Sequence, residues 1–205
     1  MPTATSTPAT GSGSRYDDAR DPVRATIGDV TDATRLETSR TIAAPAADIF
    51  ALLCDPHGHV AVDATGMLQD ATGEPVRAAG DSFVVHMDRE SLNDIPEMGR
   101  YDVTVTIRDL EPDRLISWTI LGRVRPQIGH VYGYRLSPDP EAPDDAGRTL
   151  VTSFYDWSDI HPDWAALDMF PVVSESALRA TLGILDRTVR RGYPRPEQPR
   201  HTPEG

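Results

Sequence analysis

Six aromatic side chains and one histidine are spaced to meet on a single surface if the chain around them is extended. Tyr132 and Tyr134, with His130 ahead of them, alternate along Gly129–Leu136, and Tyr155 and Trp157 alternate at the end of Arg148–Trp157. Tyr101 and Trp118 stand on the apolar side of two more alternating segments. Residues two apart on a strand share a face, so these segments describe a phenol-lined wall. Its chemistry is hydrogen-bond donation to a carbonyl or enolate and short proton transfers. The competing reading is plain core, since aromatics on a sheet usually pack. Four tyrosines, however, need partners for their hydroxyls, and water or a polar ligand in a cavity supplies what an aliphatic core does not.

The other candidate constellations read as ordinary structure. His57, His59 and Asp63 lie in a short helical turn and loop, where residues two apart diverge. No third histidine follows at ligand spacing, so the segment reads as a solvated helix end near a cavity mouth, with no metal site. Asp156, Ser158 and His161 lack the Gly-x-Ser-x-Gly turn of a nucleophile elbow. Asp156 reads as a strand-end residue, and His161 as part of a loop over the mouth. His86 alternates with Val85 and Met87 and points outward. Arg123 and Arg125 stand on a loop, as solvated charges or as a greeting for an anionic ligand at the rim. Gly11 and Gly13 belong to a flexible stretch with no strand before it and no helix after it, which a phosphate loop needs.

The elements that position these residues follow from periodicity. Leu36–Ile42 reads as a strand, broken by Ala43-Ala44-Pro45. Ala46–Leu53 and Pro56–Val62 read as short helices, with Pro45 suited to a first helical turn. Met67–Asp70, Ser82–Arg89, Arg100–Leu110, Leu115–Leu121, Gly129–Leu136 and Arg148–Trp157 read as strands of an antiparallel meander. In Arg100–Leu110 the alternation is strict, Tyr101, Val103, Val105 and Ile107 against Asp102, Thr104, Thr106 and Arg108. In the last strand Val151, Ser153, Tyr155 and Trp157 are assigned inward, against the competing set Leu150, Thr152 and Phe154. Ser174–Arg191 closes the chain as one amphipathic helix whose face is Leu178, Leu182, Leu185 and Val189. Ser174 is its cap, and Gly192 and Pro194 stop it.

The chain has 205 residues and a net charge of −12, and all twenty of its basic residues are arginine. Without lysine there is no Schiff-base chemistry. Without a basic stripe, nucleic acid and anionic membrane surfaces are excluded as partners. Cys54 is the single cysteine, read as a buried small hydrophobe, so no disulfide or cysteine metal site is expected. No signal pattern or spanning apolar run is present, and the default is a soluble cytoplasmic protein without membrane insertion. Residues 1–34 and 193–205 read as disordered tails around one domain, 35–192.

Four stretches resemble the SRPBCC (START-like) superfamily, within it the group labelled polyketide cyclase/dehydrase and lipid transport. They are LETSRTIAAPAADIFALLCDP, GDSFVVHM, RDLEPDRLISW, and the run from GYRLSP through RTLVTSFYDWS to SESALRATLGILDRTV. The resemblance spans Leu36 to Arg191. It implies an α+β helix-grip fold, with about seven antiparallel strands curved round the C-terminal helix and two short helices after the first strand. It also implies a central ligand cavity. The wall of that cavity would be Phe83, Met87, Tyr101, Val103, Trp118, Tyr132, Tyr134, Tyr155 and Trp157 from the sheet, and Leu178, Leu182 and Leu185 from the helix. The first functional expectation is binding of a small hydrophobic or aromatic molecule, lipid- or polyketide-like, with no cofactor, by a monomer or homodimer. An alternative is a cyclase/dehydratase acting through Tyr134, Tyr155 or His130. Tyr134 and Tyr155 come first because the family often places polar aromatics on these two strands. A third is a protein-interaction module.

Overall fold

The computed structural model of the chain describes residues 34–93 and 96–194. Of the two expected tails, all but Thr34, Tyr193 and Pro194 lies outside the described residues. Tyr193 packs against the core, and its hydroxyl donates to Asp55 Oδ2 at 2.6 Å.

Seven strands form one antiparallel sheet: β1 (Arg35–Ile42), β2 (Leu68–Thr72), β3 (Ser82–Asp88), β4 (Arg100–Glu111), β5 (Leu115–Leu121), β6 (Val131–Pro138) and β7 (Thr149–Asp156). Their order across the sheet is β1-β7-β6-β5-β4-β3-β2. Helices α1 (Ala46–Cys54) and α2 (Pro56–Val62) follow β1. A short α3 (Pro162–Ala165), not foreseen as a helix in the sequence, and the long α4 (Glu175–Arg191) follow β7. This is the helix-grip architecture.

Two irregularities bend the sheet. The register shifts between Leu68 and Asp70 and between Ile107 and Asp109, and an extra residue on one strand of a pair kinks that strand. Ser117 holds the second shift. Its hydroxyl donates to Asp109 Oδ2 at 2.6 Å and accepts the Asp109 N–H at 3.1 Å. Helix α4 lies across β1, β7, α1 and α2, while α2 covers β2 and β3. Leu178, Leu182 and Leu185 are buried on it as the spacing requires. Ser174 caps it by accepting the Ala177 N–H at 3.2 Å, and Gly192, at φ 74°, ends it. Asp186, also buried, accepts from Arg40 at 2.7 Å and from Arg190 at 2.9 Å, which ties α4 to β1.

The strand facing of β7 resolves in an instructive way. Val151, Ser153 and Tyr155 are buried on the inner side, yet Phe154 on the outer side is buried too. Gly133 on the neighbouring strand leaves the space for its ring, since a Cβ there would stand 2.3 Å from Phe154 Cζ. Arg35 and Arg135 cover that ring, their guanidinium carbons 4.2 and 4.9 Å from its centroid. Antiparallel pairing sends the connections 89–99, 122–130 and 157–174 out of one end of the sheet. The large hydrophobics exposed among the described residues, Leu92, Leu121, Leu167, Met169 and Val172, all stand at that end.

Candidate functional site

The inner face carries one continuous run of rings. Register aligns Trp118, Tyr132 and Tyr155 across β5, β6 and β7. Trp118 stacks on Tyr132 at 6.2 Å and approaches Tyr134 at 5.9 Å. Tyr132 meets Tyr155 at 4.8 Å and His130 at 5.1 Å, and Tyr155 stacks on Trp157 at 5.3 Å. Phe170, on the loop before α4, closes on His130 at 6.3 Å. Offset and edge contacts of this kind favour a fixed arrangement over a fluid one.

Each hydroxyl in the run has a distinct environment. Tyr155 is fully buried; its oxygen lies 3.1 Å from His130 Nδ1, beside the Val172 backbone. The phenol donates to Nδ1 when the imidazole proton is on Nε2 and accepts from it when the proton is on Nδ1. Burial lowers the His130 pKa to about 4, so the ring is neutral at pH 7. Tyr134 is buried beside the Ser153 hydroxyl, and burial pushes its phenol up to about 12. Tyr132 is different. Burial, with the Tyr155 and Tyr101 phenols adding to it, raises its pKa strongly, yet the residue keeps solvent-accessible surface while its neighbours Trp118, Tyr134, His130 and Tyr155 are buried.

His59 overturns its expected place at a solvated helix end. It is buried, with Nε2 donating to the Leu53 carbonyl at 2.8 Å, and its ring edge meets Phe83 and Trp118, each at 4.8 Å. Burial depresses its pKa to about 4. The signal that could have found it is Gly58, where a Cβ would fall 2.0 Å from the Leu52 carbonyl oxygen. Such a glycine marks a helix junction pressed close enough to bury its neighbours.

The remaining candidates distribute as follows. Phe83 joins the run through His59, and Val103 is buried between it and the sheet end. Met87 and Tyr101 are paired at that end and line an open pocket. Leu178, Leu182 and Leu185 lie on α4. His86 sits on the outer face between Thr72 and Asp102, at 2.8 and 2.7 Å. His161 is exposed and caps α3, its backbone N–H bonded to the Ile128 carbonyl at 2.9 Å. Asp156 bonds Arg35 and Ser158. Cys54 is buried, and burial, with Asp113 adding to it, pushes its thiol up to about 11, so little thiolate forms at pH 7. Among the described residues no three His, Cys, Asp or Glu side chains gather as metal ligands, and no helix is long and apolar enough to cross a membrane.

A curved sheet facing one long helix, its inner wall rich in aromatics, defines a helix-grip protein. Residues 33–190 match the family described as polyketide cyclase / dehydrase and lipid transport, and the chain belongs to that family. The uncharacterized protein Rv0088 of Mycobacterium tuberculosis is 30% identical over 86 residues, a stretch covering 42% of this chain and 35% of that protein. Among solved structures, the Zhui aromatase/cyclase from Streptomyces sp. R1128 is similar at a TM-score of 0.53 and 20% identity, over 77% of this chain and 93% of that one. Protein Ms6760 from Mycobacterium smegmatis is similar at 0.52 and 15%, over 78% and 92%. At such identities the likeness is one of fold.

Proposed function

We propose that the domain 35–192 binds a small hydrophobic or aromatic molecule, of lipid or polyketide kind, between the inner face of the sheet and α4. The observation that carries this reading is Tyr132. Its phenol is surrounded by protein closely enough to resist ionisation, yet the residue keeps accessible surface in the middle of a buried aromatic run. A partly buried phenol at that position leaves room for a ligand against the aromatic wall. Aromatic walls with a few hydroxyls suit a flat, mostly apolar ligand bearing one or two carbonyls. The exposed apolar residues at one end of the sheet form a rim through which such a molecule enters, and they also serve a surface-interaction reading. The test is native mass spectrometry of the purified protein, followed by solvent extraction. A stoichiometric apolar adduct supports the reading. An apo mass, with no thermal shift from a library of hydrophobes, refutes it.

A second reading is favoured by the Tyr155–His130 hydrogen bond and by the name of the Streptomyces neighbour, an aromatase/cyclase. In it the paired phenol and neutral imidazole hydrogen-bond a ligand carbonyl and relay a proton during cyclisation or dehydration. Turnover of a poly-β-ketone by the unaltered protein, reduced more than tenfold by Tyr155→Phe, supports it. No turnover leaves the protein a binder.

A further inference from the structure

The end of the sheet that carries the long loops holds an open pocket of about 750 Å³. Met87 and Tyr101, paired across β3 and β4, lie on its apolar side, and His86, Asp102, Arg100 and Arg123 supply its charge. Most of those charges have partners. Asp88 is buried and accepts from the Ser91 N–H at 3.0 Å, the Ser91 hydroxyl at 2.8 Å and Arg100 Nε at 3.2 Å. Asp102 stands 2.7 Å from His86 Nδ1. Arg123 is the exception: among the described residues no carboxylate lies within ion-pair distance of it. Its guanidinium donates to the Arg100 carbonyl at 3.3 Å and lies 5.8 Å from the Tyr101 ring centroid.

The loop bearing Arg123 is held in place by side chains. Gln127 accepts the Gly122 N–H at 3.1 Å and donates to the Gly122 and Val124 carbonyls at 3.1 and 3.2 Å. Arg125 donates to the same two carbonyls at 2.7 and 2.8 Å. Trp164 Nε1 anchors the Pro126 carbonyl at 2.8 Å. A loop tied this way presents its cation at a set position, which lowers the ordering cost of binding. Among the described residues only one of the five guanidinium donors is engaged, which leaves a fork matched to a carboxylate. Asp102, also on the pocket wall, disfavours a second anionic group.

We propose that this pocket takes the carboxylate end of an amphipathic acid, fatty or aryl, with Arg123 as its counter-ion and the apolar part running along Met87 and Tyr101. Tyr101 belongs both to the pocket wall and to the buried core. The inference rests on the ligand reading above and narrows it to acids.

The test compares binding of cis-parinaric acid and its methyl ester to the full-length protein by fluorescence. The acid is expected to bind about fivefold more tightly than the ester, as for a partly solvated charge pair. In Arg123→Gln the acid falls to the level of the ester while the ester is unchanged, which separates a lost counter-ion from a folding defect. Arg123→Lys restores part of the difference. Equal binding of acid and ester by the unaltered protein, or equal weakening of both by Arg123→Gln, overturns this inference and leaves the internal site standing. Binding of neither overturns both.

Discussion

The Tyr155 hydroxyl lies 3.1 Å from His130 Nδ1, joining β7 to the residue that leads into β6, beside the Val172 backbone of the loop before α4. One buried phenol therefore sits where the aromatic wall meets a loop at the open end. Tyr155→Phe removes this bond, leaves the buried His130 Nδ1 without its partner and loosens the contact with the loop at Val172. The expected loss is about 1–2 kcal/mol of unfolding free energy, read by urea titration. Hydrogen exchange at Val172 should speed up more than at β7 amides. Exchange unchanged at Val172 would mean that the loop is held elsewhere.

His59 and His130 set an acid limit on stability. Both are held neutral by burial, at about 4 in the folded chain against 6.5 when free. Below pH 6.5 the unfolded chain takes up protons that the folded chain does not, so stability is full above 6.5 and falls as pH drops toward 4. Over that window His59, the more deeply enclosed, accounts for about 3 kcal/mol. Urea unfolding at pH 7, 5 and 4 measures the fall, and His59→Gln should remove about half of it. A flat profile would mean that neither ring resists protonation.

Gly133 tests the outer face. A Cβ there would meet Phe154 Cζ at 2.3 Å and the Ile116 carbonyl oxygen at 2.7 Å. Gly133→Ala should cost about 3 kcal/mol, at the upper end of overpacking penalties, seen as a melting point lower by roughly 6–12 °C. Adding Phe154→Ala removes the side-chain clash but not the one with backbone. The double variant should therefore not recover the stability of Phe154→Ala alone.

The strand frames were legible wherever polar and apolar residues alternate without conflict. Tyr101 to Ile107 is the clearest case, because Asp102, Thr104 and Thr106 leave one face to bury. The frame of β7 was harder, since Leu150, Thr152 and Phe154 compete with Val151, Ser153 and Tyr155. Phe154 is buried on the outer face because Gly133 pairs with it from β6 to β7 and Arg35 and Arg135 cover its ring, relationships between residues at least nineteen apart that no local window contains. His59 was misplaced for a similar reason. Its spacing from His57 describes the helix but not what α2 rests on, and β3 and β5 bring Phe83 and Trp118 to it from far along the chain. The order of elements was readable because turns and caps are local. The partners of single polar groups were not, because packing between distant elements decides them.

The three tryptophans stand in different settings, which makes the internal site observable. Trp118 lies in the aromatic run against Tyr132, Trp157 stacks on Tyr155, and Trp164 sits in α3 with its indole N–H bonded to the Pro126 carbonyl. A ligand entering the space against Tyr132 changes the polarity around Trp118 first and leaves the hydrogen-bonded Trp164 almost unaffected. Titration with a hydrophobic ligand should therefore shift or quench emission, and Trp118→Phe should abolish most of the change. Because Trp118 also packs on His59, the variant should lose about 1 kcal/mol of stability. Its melting point must be measured alongside, to show that the fold persists. A signal that survives in Trp118→Phe but disappears in Trp164→Phe would move the ligand out of the sheet and onto the loops at its open end.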